Sequence, residues 1–436
     1  FEQFSKSIHY DYRLAEYDIY HSAIHTLALK NSGILTKEEA ERIDSVLNEI
    51  LFQIREKKFK PDLHCEDIHS DIQNRLEDKL GKLAMKIHTF RSRNDQIVFD
   101  EKWYCLNVAL DIHAGLTSLL TNLKELMKKY QNQPFIGYTH TQKAQVVLFS
   151  DYLGAFFEMF YRDRARMATF SHTVTPHIGA AALTGSSLKR KDYDKAIKQF
   201  LKERKIAVVK AVENSLDNVS DRDFIVEILS VLSIIQMHFS RLAEDLIIYS
   251  TKEFGLLKIG EEFCTGSSLM PHKKNPDFLE LVRGSTGKIY GNLIAVLTMI
   301  KGLPLTYNRD MQFDKEPLFS SVDIVSEELK IIDRFIKTIE VEEENVKRSL
   351  EDEQLYATEL AELLVFKGIA FSEAHTIIGR LVRYSEEKNV KIKDMSEVTL
   401  REFHSQLKPQ EIKRVMTPRH AISSKKSISR RLPKVD

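Results

Sequence analysis

One stretch interrupts the long helical patterns of this chain: GSSLMPHKKNPD, residues 266–277. Pro271 and Pro276 exclude a regular helix, since proline lacks the N–H donor and its ring clashes with the preceding turn. Gly266 frees the backbone where the stretch begins. Two hydroxyls, two lysines and an amide crowd into a segment that cannot bury an apolar face. This composition is typical of a loop that closes over an anion, and a solvated turn between helices is the alternative.

Long helical patterns lie on both sides of this stretch. Apolar residues recur at helical spacing over 221–254, over 278–301 and over 318–350, and no proline falls between Pro176 and Pro271. Residues 351–436 carry shorter patterns, typical of a smaller terminal domain. The chain has no alternating strand pattern and no GxGxxG, GxxxxGK[ST], GxSxG or HExxH motif. The sequence therefore predicts an all-α fold built on a bundle of long helices.

Three further polar breaks separate the helical patterns. HTFRSRND, at 88–95, places two arginines, a serine and an asparagine at a helix start, where they suit a carboxylate or phosphate; capping with surface salt bridges is an equal alternative. GYTHTQ, at 137–142, places His140 between two threonines, and a structural histidine is there the commoner case. A helix with Val146 and Leu148 among its buried residues is expected next. The fourth break is LPLTYNRDMQFDKEP, at 303–317.

Composition excludes several classes of function. The 436 residues carry a formal net charge of +1, so no global field favours nucleic acid. Three cysteines without metal-ligand spacing indicate a reducing compartment. The N-terminal residues have no apolar signal-peptide core, and no apolar run is long enough to span a membrane. A metal site is conceivable among the acidic residues and histidines of 61–75, but solvated helix-start residues explain them more simply. The sequence predicts a cytoplasmic protein.

In combination, these breaks resemble the argininosuccinate lyase branch of the fumarase/aspartase superfamily. The superfamily's GSSxMPxKxNP loop stands here as 266–276. The branch is identified by HTFRSRND, GYTH and LPLTYN, and NSLD at 214–217 and YATELA at 356–361 fit it as well. The similarity covers nearly the whole chain.

The resemblance implies a three-domain fold with a central bundle of long helices: 1–90 N-terminal, 91–345 central, 346–436 C-terminal. It implies reversible anti β-elimination of argininosuccinate to arginine and fumarate, the lyase step of arginine biosynthesis. It further implies a homotetramer whose active sites each combine three subunits. A small-molecule substrate is the expected partner, with no nucleic acid, no membrane, no cofactor and no metal.

The resemblance also implies roles for single residues. Ser267 is the expected base, Lys273 and Asn275 hold the substrate carboxylate and its dianion, and His140, with Glu280 as its acidic partner, is expected to be catalytic. The other expected substrate contacts are Ser7, Ser92, Arg93, Asn94, Thr139, Tyr307, Gln312 and Lys315.

Two departures from the family pattern bear on the site. Phe90 stands in place of the usual glycine, where a positive φ would be strained. His272 replaces a common glutamine within the loop. The alternatives are a silent structural relative of the delta crystallin type, another lyase of the superfamily, and a binding module for an acidic metabolite. The retained site residues favour the enzyme.

Overall fold

The computed structural model describes residues 2–204, 208–428 and 432–435. Helices dominate it, as the sequence predicts. The α-helices of the described residues are Glu2–Ser5, Ile8–Asp11, Ala15–Asn31, Lys37–Arg55, Ile68–Leu80, Lys82–Met85, Arg93–Lys129, Phe149–Thr173, Arg190–Arg204, Ser215–Ser220, Asp223–Ser250, Asp277–Ile300, Lys315–Phe335, Glu343–Ser349, Ala357–Val365, Phe371–Lys388, Glu397–Phe403, Pro409–Val415 and Pro418–Ser424.

Short strands also occur, although the sequence shows no alternating strand pattern. They are Pro134–Thr139, Gln142–Leu148, His177–Ile178, Lys210–Ala211, Leu257–Lys258, Thr265–Gly266, Lys274–Asn275 and Glu340–Val341. The first two pair antiparallel as a β-hairpin, so Val146 and Leu148 belong to a strand and the next helix begins only at Phe149. The run VVLFSDYL, at 146–153, contains no turn residue. Apolar spacing alone therefore does not show where the strand ends and the helix begins.

The N-terminal helices show how local signals set the boundaries. Thr36 caps the helix Lys37–Arg55: its side chain accepts the N–H of Glu39, whose carboxylate accepts the N–H of Thr36 at 2.9 Å. A threonine followed three residues later by a glutamate is the sequence signature of this capping box. Residues 1–32 are mixed and aromatic-rich, a pattern that predicts only partial helix, yet they include the long helix Ala15–Asn31. Its buried histidines and aspartate obscure the apolar pattern.

The longest helix, Arg93–Lys129, carries the apolar residues whose helical spacing predicts it, and they are buried except for Leu110, which is 50% exposed. Trp103, Ile112, Leu119 and Leu123 are each at most 2% exposed. The spacing of Ile112, Leu119 and Leu123 keeps them on one face, with Trp103 on the opposite face, and burying both faces against neighbouring helices stabilises a helix of this length. The break at 88–95 runs into the first turn of this helix, which begins at Arg93.

The helix Asp223–Ser250 is apolar over more than one face. By length and composition it could cross a membrane, contrary to the expectation that no run is long enough, and 61% of its most apolar window is buried within the protein. It also carries Arg241, Glu244 and Asp245. Burial and charge together are typical of a core helix.

The chain forms two compact units. The first comprises residues 1–114, 163–237 and 284–328, and the second comprises 115–162, 238–283 and 329–436. The cores are rich in aromatic residues: Trp103 packs beside Phe99 in the first unit, and Phe135 packs beside Phe149 in the second. The three-domain division inferred from the family remains a prediction.

Candidate active site

The loop 266–277 is a hairpin closed at its base. Thr265 pairs with Asn275 and Gly266 with Lys274 in a short antiparallel ladder, and helix Asp277–Ile300 begins directly afterwards. Pro276 fits this position, since its C=O accepts the N–H of Glu280 at 3.2 Å. The loop above the ladder is largely exposed, as expected for a segment that closes over a ligand.

Ser267 lies at the start of this loop, and its hydroxyl oxygen accepts two backbone hydrogen bonds. The N–H groups of Leu269 and Met270 donate to Oγ at 3.3 and 3.0 Å. Both bonds stabilise negative charge on that oxygen more than the neutral hydroxyl. The geometry therefore favours Ser267 as the residue of the loop that can carry an oxyanion.

A groove of about 680 Å³ lies beside the loop, in the second unit. Lys273, Asn275 and Glu280 line it, together with Cys264 and the lysines 252, 258 and 274. Lys274 is paired with Glu261, whereas Lys273 has no carboxylate within 4.0 Å in the described part of the chain. The groove therefore holds an uncompensated ammonium beside an amide, a combination suited to a carboxylate.

Thr139 and His140 lie on the β-hairpin 134–148. Thr139 pairs with Gln142, so His140 and Thr141 form a two-residue turn, with φ of +53° and +58°. Positive φ at both central positions is the signature of a type I′ turn, which normally takes asparagine and glycine. A histidine there is strained, and strain of this kind is concentrated at functional sites. His140 is exposed and, among the described residues, makes no hydrogen bond to Glu280.

Ser92, Arg93 and Asn94 lie at the start of helix Arg93–Lys129, in the first unit. Ser92 Oγ accepts the N–H of Asn94 at 3.3 Å, and Asn94 Nδ2 donates to the C=O of Ala182 at 3.3 Å. The Nε of Arg93 pairs with Asp67 at 3.1 Å. Capping and ion pairing, the alternative left open by the sequence, are thus both present, and the three side chains are only partly buried.

Ser7 is buried at the start of the helix Ile8–Asp11. Its Oγ donates to Asp11 Oδ2 at 2.6 Å, and its N–H donates to the C=O of Glu66 at 2.8 Å. Burial raises the pKa of Asp11. With its proton committed to Asp11, the Ser7 hydroxyl is left to accept hydrogen bonds.

Tyr307 and Gln312 belong to the break at 303–317. Gln312 Nε2 donates to the C=O of Ser5 at 2.8 Å and its Oε1 accepts from Arg309 at 3.2 Å. This contact places Gln312 beside the segment that carries Ser7. Burial raises the pKa of the Tyr307 phenol, while the positive charges of Lys315 and Arg309 act against that rise.

Lys315 lies in a buried network of four charges. Its Nζ contacts Glu101 at 2.6 Å and Asp314 at 2.8 Å, and the Nε of Arg222 contacts the same two carboxylates at 3.1 and 3.0 Å. Burial alone would lower the pKa of Lys315, but the two carboxylates outweigh it and raise that pKa. The lysine is 3% exposed. Its charge is therefore balanced within the protein.

Sequence reasoning missed Arg222, Glu101 and Asp314. Two signals could have found them: Asp314 and Lys315 are adjacent in the polar break, and Glu101 interrupts the apolar face of the longest helix. The structure brings the expected residues together in two groups. The first unit holds Ser7, Ser92, Arg93, Asn94, Tyr307, Gln312 and Lys315, and the second holds Thr139, His140, Ser267, Lys273, Asn275 and Glu280.

A second buried cluster combines Asp18, His69 and Asp100. Its ligand-type atoms lie within 4.8 Å of one another, which is close enough to hold a metal ion. His69 Nδ1 lies 3.0 Å from Asp18 and 3.6 Å from Asp100, and Gln96 donates to Asp18 at 2.7 Å. A proton on Nδ1 between the two carboxylates accounts for this geometry. Of the residues considered for a metal site in 61–75, only His69 belongs to the cluster.

Comparison with known families gives two matches along the chain. Residues 1–291 match the sequence model of a lyase family, and residues 354–423 match that of the argininosuccinate lyase C-terminal region. The argininosuccinate lyase of Caldanaerobacter subterraneus subsp. tengcongensis is 41% identical over 429 residues, 97% of this chain and 95% of that protein. The argininosuccinate lyase of Clostridium kluyveri is 43% identical over 93% of this chain and 91% of its own.

Solved structures share the fold at lower identity. EDDS lyase in complex with formate superposes with a TM-score of 0.81 at 22% identity, covering 96% of this chain and 83% of that one. A fumarate lyase:delta crystallin from Brucella melitensis bound to cobalt superposes with a TM-score of 0.80 at 18% identity, covering 97% and 94%. These similarities establish a long-helix fold of the fumarate lyase type.

Proposed function

The chain belongs to the argininosuccinate lyase family of the fumarase/aspartase superfamily, and from this premise we propose how its residues cleave argininosuccinate to arginine and fumarate. A base removes the proton from the carbon next to a carboxylate, and the carbanion spreads its charge into that carboxylate. The C–N bond to the guanidinium nitrogen then breaks, with a proton delivered to the leaving nitrogen. The difficult requirement is to stabilise the dianionic carboxylate. Preorganised hydrogen-bond donors provide that stabilisation.

Ser267 is the proposed base. A serine hydroxyl is a very weak acid in water, so its alkoxide needs stabilisation. The N–H groups of Leu269 and Met270, both aimed at Oγ, supply part of that stabilisation. This pair of hydrogen bonds is the observation that carries the proposal.

Lys273 and Asn275 are the proposed binders of the carboxylate that takes up the charge. They line one groove with Glu280, and the ammonium of Lys273 has no carboxylate partner within the described chain. A compact point charge gains most from a ligand whose own charge rises during the reaction.

His140 and Glu280 are proposed as a second proton-handling pair. A carboxylate beside an imidazole raises its pKa and fixes its tautomer. The exposure of both residues and the strained turn that presents His140 support a pairing completed by another copy of the chain.

Binding of the rest of the substrate is proposed for the remaining residues. Ser92, Arg93 and Asn94 offer donors at a helix start, Thr139 flanks His140, and Ser7, Tyr307, Gln312 and Lys315 offer polar groups of the first unit. The contact of Gln312 with the Ser5 carbonyl supports a shared site for Ser7 and the 303–317 break.

A homotetramer with active sites shared by three subunits is proposed as the functional form. The helix Asp277–Ile300 supports it, since Gly284, Gly287 and Gly291 face open space at heptad spacing and Ile294, 59% exposed, continues their line. Small residues let a second helix approach closely. A mass measurement in solution tests this, and a monomer with full activity contradicts it.

The reaction is tested by incubating the purified protein with argininosuccinate and following fumarate by its ultraviolet absorbance. Growth of absorbance is expected, and arginine should appear in equal amount. The absence of both products at high protein concentration would contradict the proposed lyase activity and favour a catalytically silent relative of the delta crystallin type. The same activity, in the cytoplasm, would serve arginine biosynthesis.

A further inference from the structure

A cavity of about 430 Å³ lies behind the hairpin that carries His140, in the second unit. Four aromatic residues form part of its wall: Tyr138, Tyr152, Tyr249 and Phe254. None of the residues assigned above to the reaction lines it. The cavity size is that of a pocket for a small molecule.

The four rings form one continuous wall. Tyr249 lies at the centre of it, with its ring centroid 5.8 Å from that of Tyr138, 5.7 Å from that of Tyr152 and 6.2 Å from that of Phe254. The Tyr138 and Phe254 centroids are 5.4 Å apart. Ring faces carry negative potential, so several rings around one space attract a cation.

Two carboxylates, Asp151 and Asp245, also line the cavity. Asp245 lines it and accepts a hydrogen bond from the Tyr152 hydroxyl at 3.3 Å. Burial is the main reason that the pKa of Asp245 is raised, with the Tyr152 hydrogen bond and the charge of Arg241 opposing it. In the described chain no lysine or arginine nitrogen comes within 4.0 Å of this carboxylate. A partly buried carboxylate without a close cation is costly, and a bound cation relieves that cost.

We propose that this cavity binds the guanidinium or ammonium group of a small organic cation, with Asp245 as its counter-ion and the four rings as its walls. Arginine is the guanidinium compound to test first, a choice that rests on the proposed function because arginine is its product. A ligand there touches Tyr138 and Thr141, on either side of the turn residue His140. A ligand bound in the cavity therefore contacts the hairpin 134–148 directly.

Calorimetric titration of the purified oligomer with L-arginine tests the site. Wild-type protein should bind arginine in two classes, one at the active site and one in the cavity. Asp245→Asn, which keeps an acceptor for Tyr152, should weaken only the second class by about tenfold or more. Citrulline, which has a neutral urea in place of the guanidinium, should not occupy the cavity.

Two further variants separate binding from folding. Phe254→Leu removes one ring face and should weaken the cavity class by about fivefold. Glu244→Gln is the matched control, because Glu244 neighbours Asp245 on the same helix but pairs with Arg283 at 2.6 Å and does not line the cavity. It should bind arginine as the wild type does.

The outcomes also distinguish this inference from the proposed reaction. Protein that releases fumarate from argininosuccinate but binds arginine equally well with and without Asp245→Asn overturns the cavity site alone. Protein that shows an Asp245-dependent class without releasing fumarate supports the cavity and overturns the reaction. Equal binding of citrulline and arginine in the cavity class overturns recognition of the cation.

Discussion

Lys315 in the first unit and Lys273 in the second are both proposed to bind the substrate, yet their surroundings are opposite. Lys315 is 3% exposed and contacts two carboxylates, and Arg222 contacts the same two carboxylates. Lys273 is exposed on a loop whose strand ladder lies at its base. The first lysine is therefore fixed before substrate arrives, whereas the second gains a partner only with the substrate. Replacing Lys273 should therefore lower activity and leave folding intact.

The largest effect on activity is expected at the loop. Ser267→Ala removes the proposed base together with the oxygen that accepts two backbone N–H groups, so kcat should fall by about a thousandfold or more. Substrate binding should persist, because Lys273 and Asn275 remain. Fumarate absorbance gives kcat, and calorimetry gives the affinity. Ser268→Ala, the neighbouring serine, is the control and should retain activity; full activity of Ser267→Ala would remove Ser267 from the base role.

Lys315→Met tests the buried side of the comparison. It leaves Glu101 and Asp314 with Arg222 as their only cation in the network, and should lower the free energy of unfolding by about 3–5 kcal/mol. Urea unfolding measures this. Adding Glu101→Gln should recover part of the loss, since it removes the uncompensated charge. Lys37→Met, which removes the exposed pair of Lys37 with Glu41, should change stability by less than about 0.5 kcal/mol. An equal effect at both lysines would contradict a buried network.

Lys273→Met tests the exposed side. Its kcat/KM should fall by about a hundredfold, because the developing dianion loses an ammonium. The urea midpoint should stay within experimental error of the wild type. Lys274→Met is the matched control: that lysine pairs with Glu261, and its activity should change little. Loss of stability in Lys273→Met would show that this lysine is structural.

The sequence predicted the exposed side of this comparison better than the buried side. Prolines and donors marked the loop 266–277 directly, because a loop is governed by local backbone chemistry. The pairing of Lys315 with Glu101 and Arg222 joins residues far apart in the chain, and no local pattern reports it. The hairpin 134–148 was missed for a related reason: its turn uses histidine and threonine where asparagine and glycine are usual.

The buried histidines of the first unit should make the free energy of unfolding depend on pH. Burial, and next the charge of Arg91, hold the pKa of His25 well below its usual value. As pH falls through about 6.5, His25 takes up a proton in the unfolded chain but stays neutral in the folded chain. The free energy of unfolding therefore decreases as pH falls below that value. The slope should be about 1.4 kcal/mol per pH unit for one such histidine. Urea unfolding at pH 7.5 and 5.5 should show a smaller loss for His25→Gln than for wild type, and equal losses would contradict a neutral His25.

The smallest effect is expected at Phe90, on the approach to the arginines of the first unit. Its φ is +61°, so the strain expected from a bulky residue at a position usually held by glycine is present. Phe90→Gly should raise the free energy of unfolding by about 0.5–1 kcal/mol, because the ring is 44% exposed and its removal forfeits little burial. Phe90→Ala keeps a Cβ and should gain nothing. Lys57→Gly, at an exposed residue with φ of +55°, should show a similar gain. A loss of stability in Phe90→Gly, alongside a gain in Lys57→Gly, would mean that the Phe90 ring is held by contacts worth more than its backbone strain.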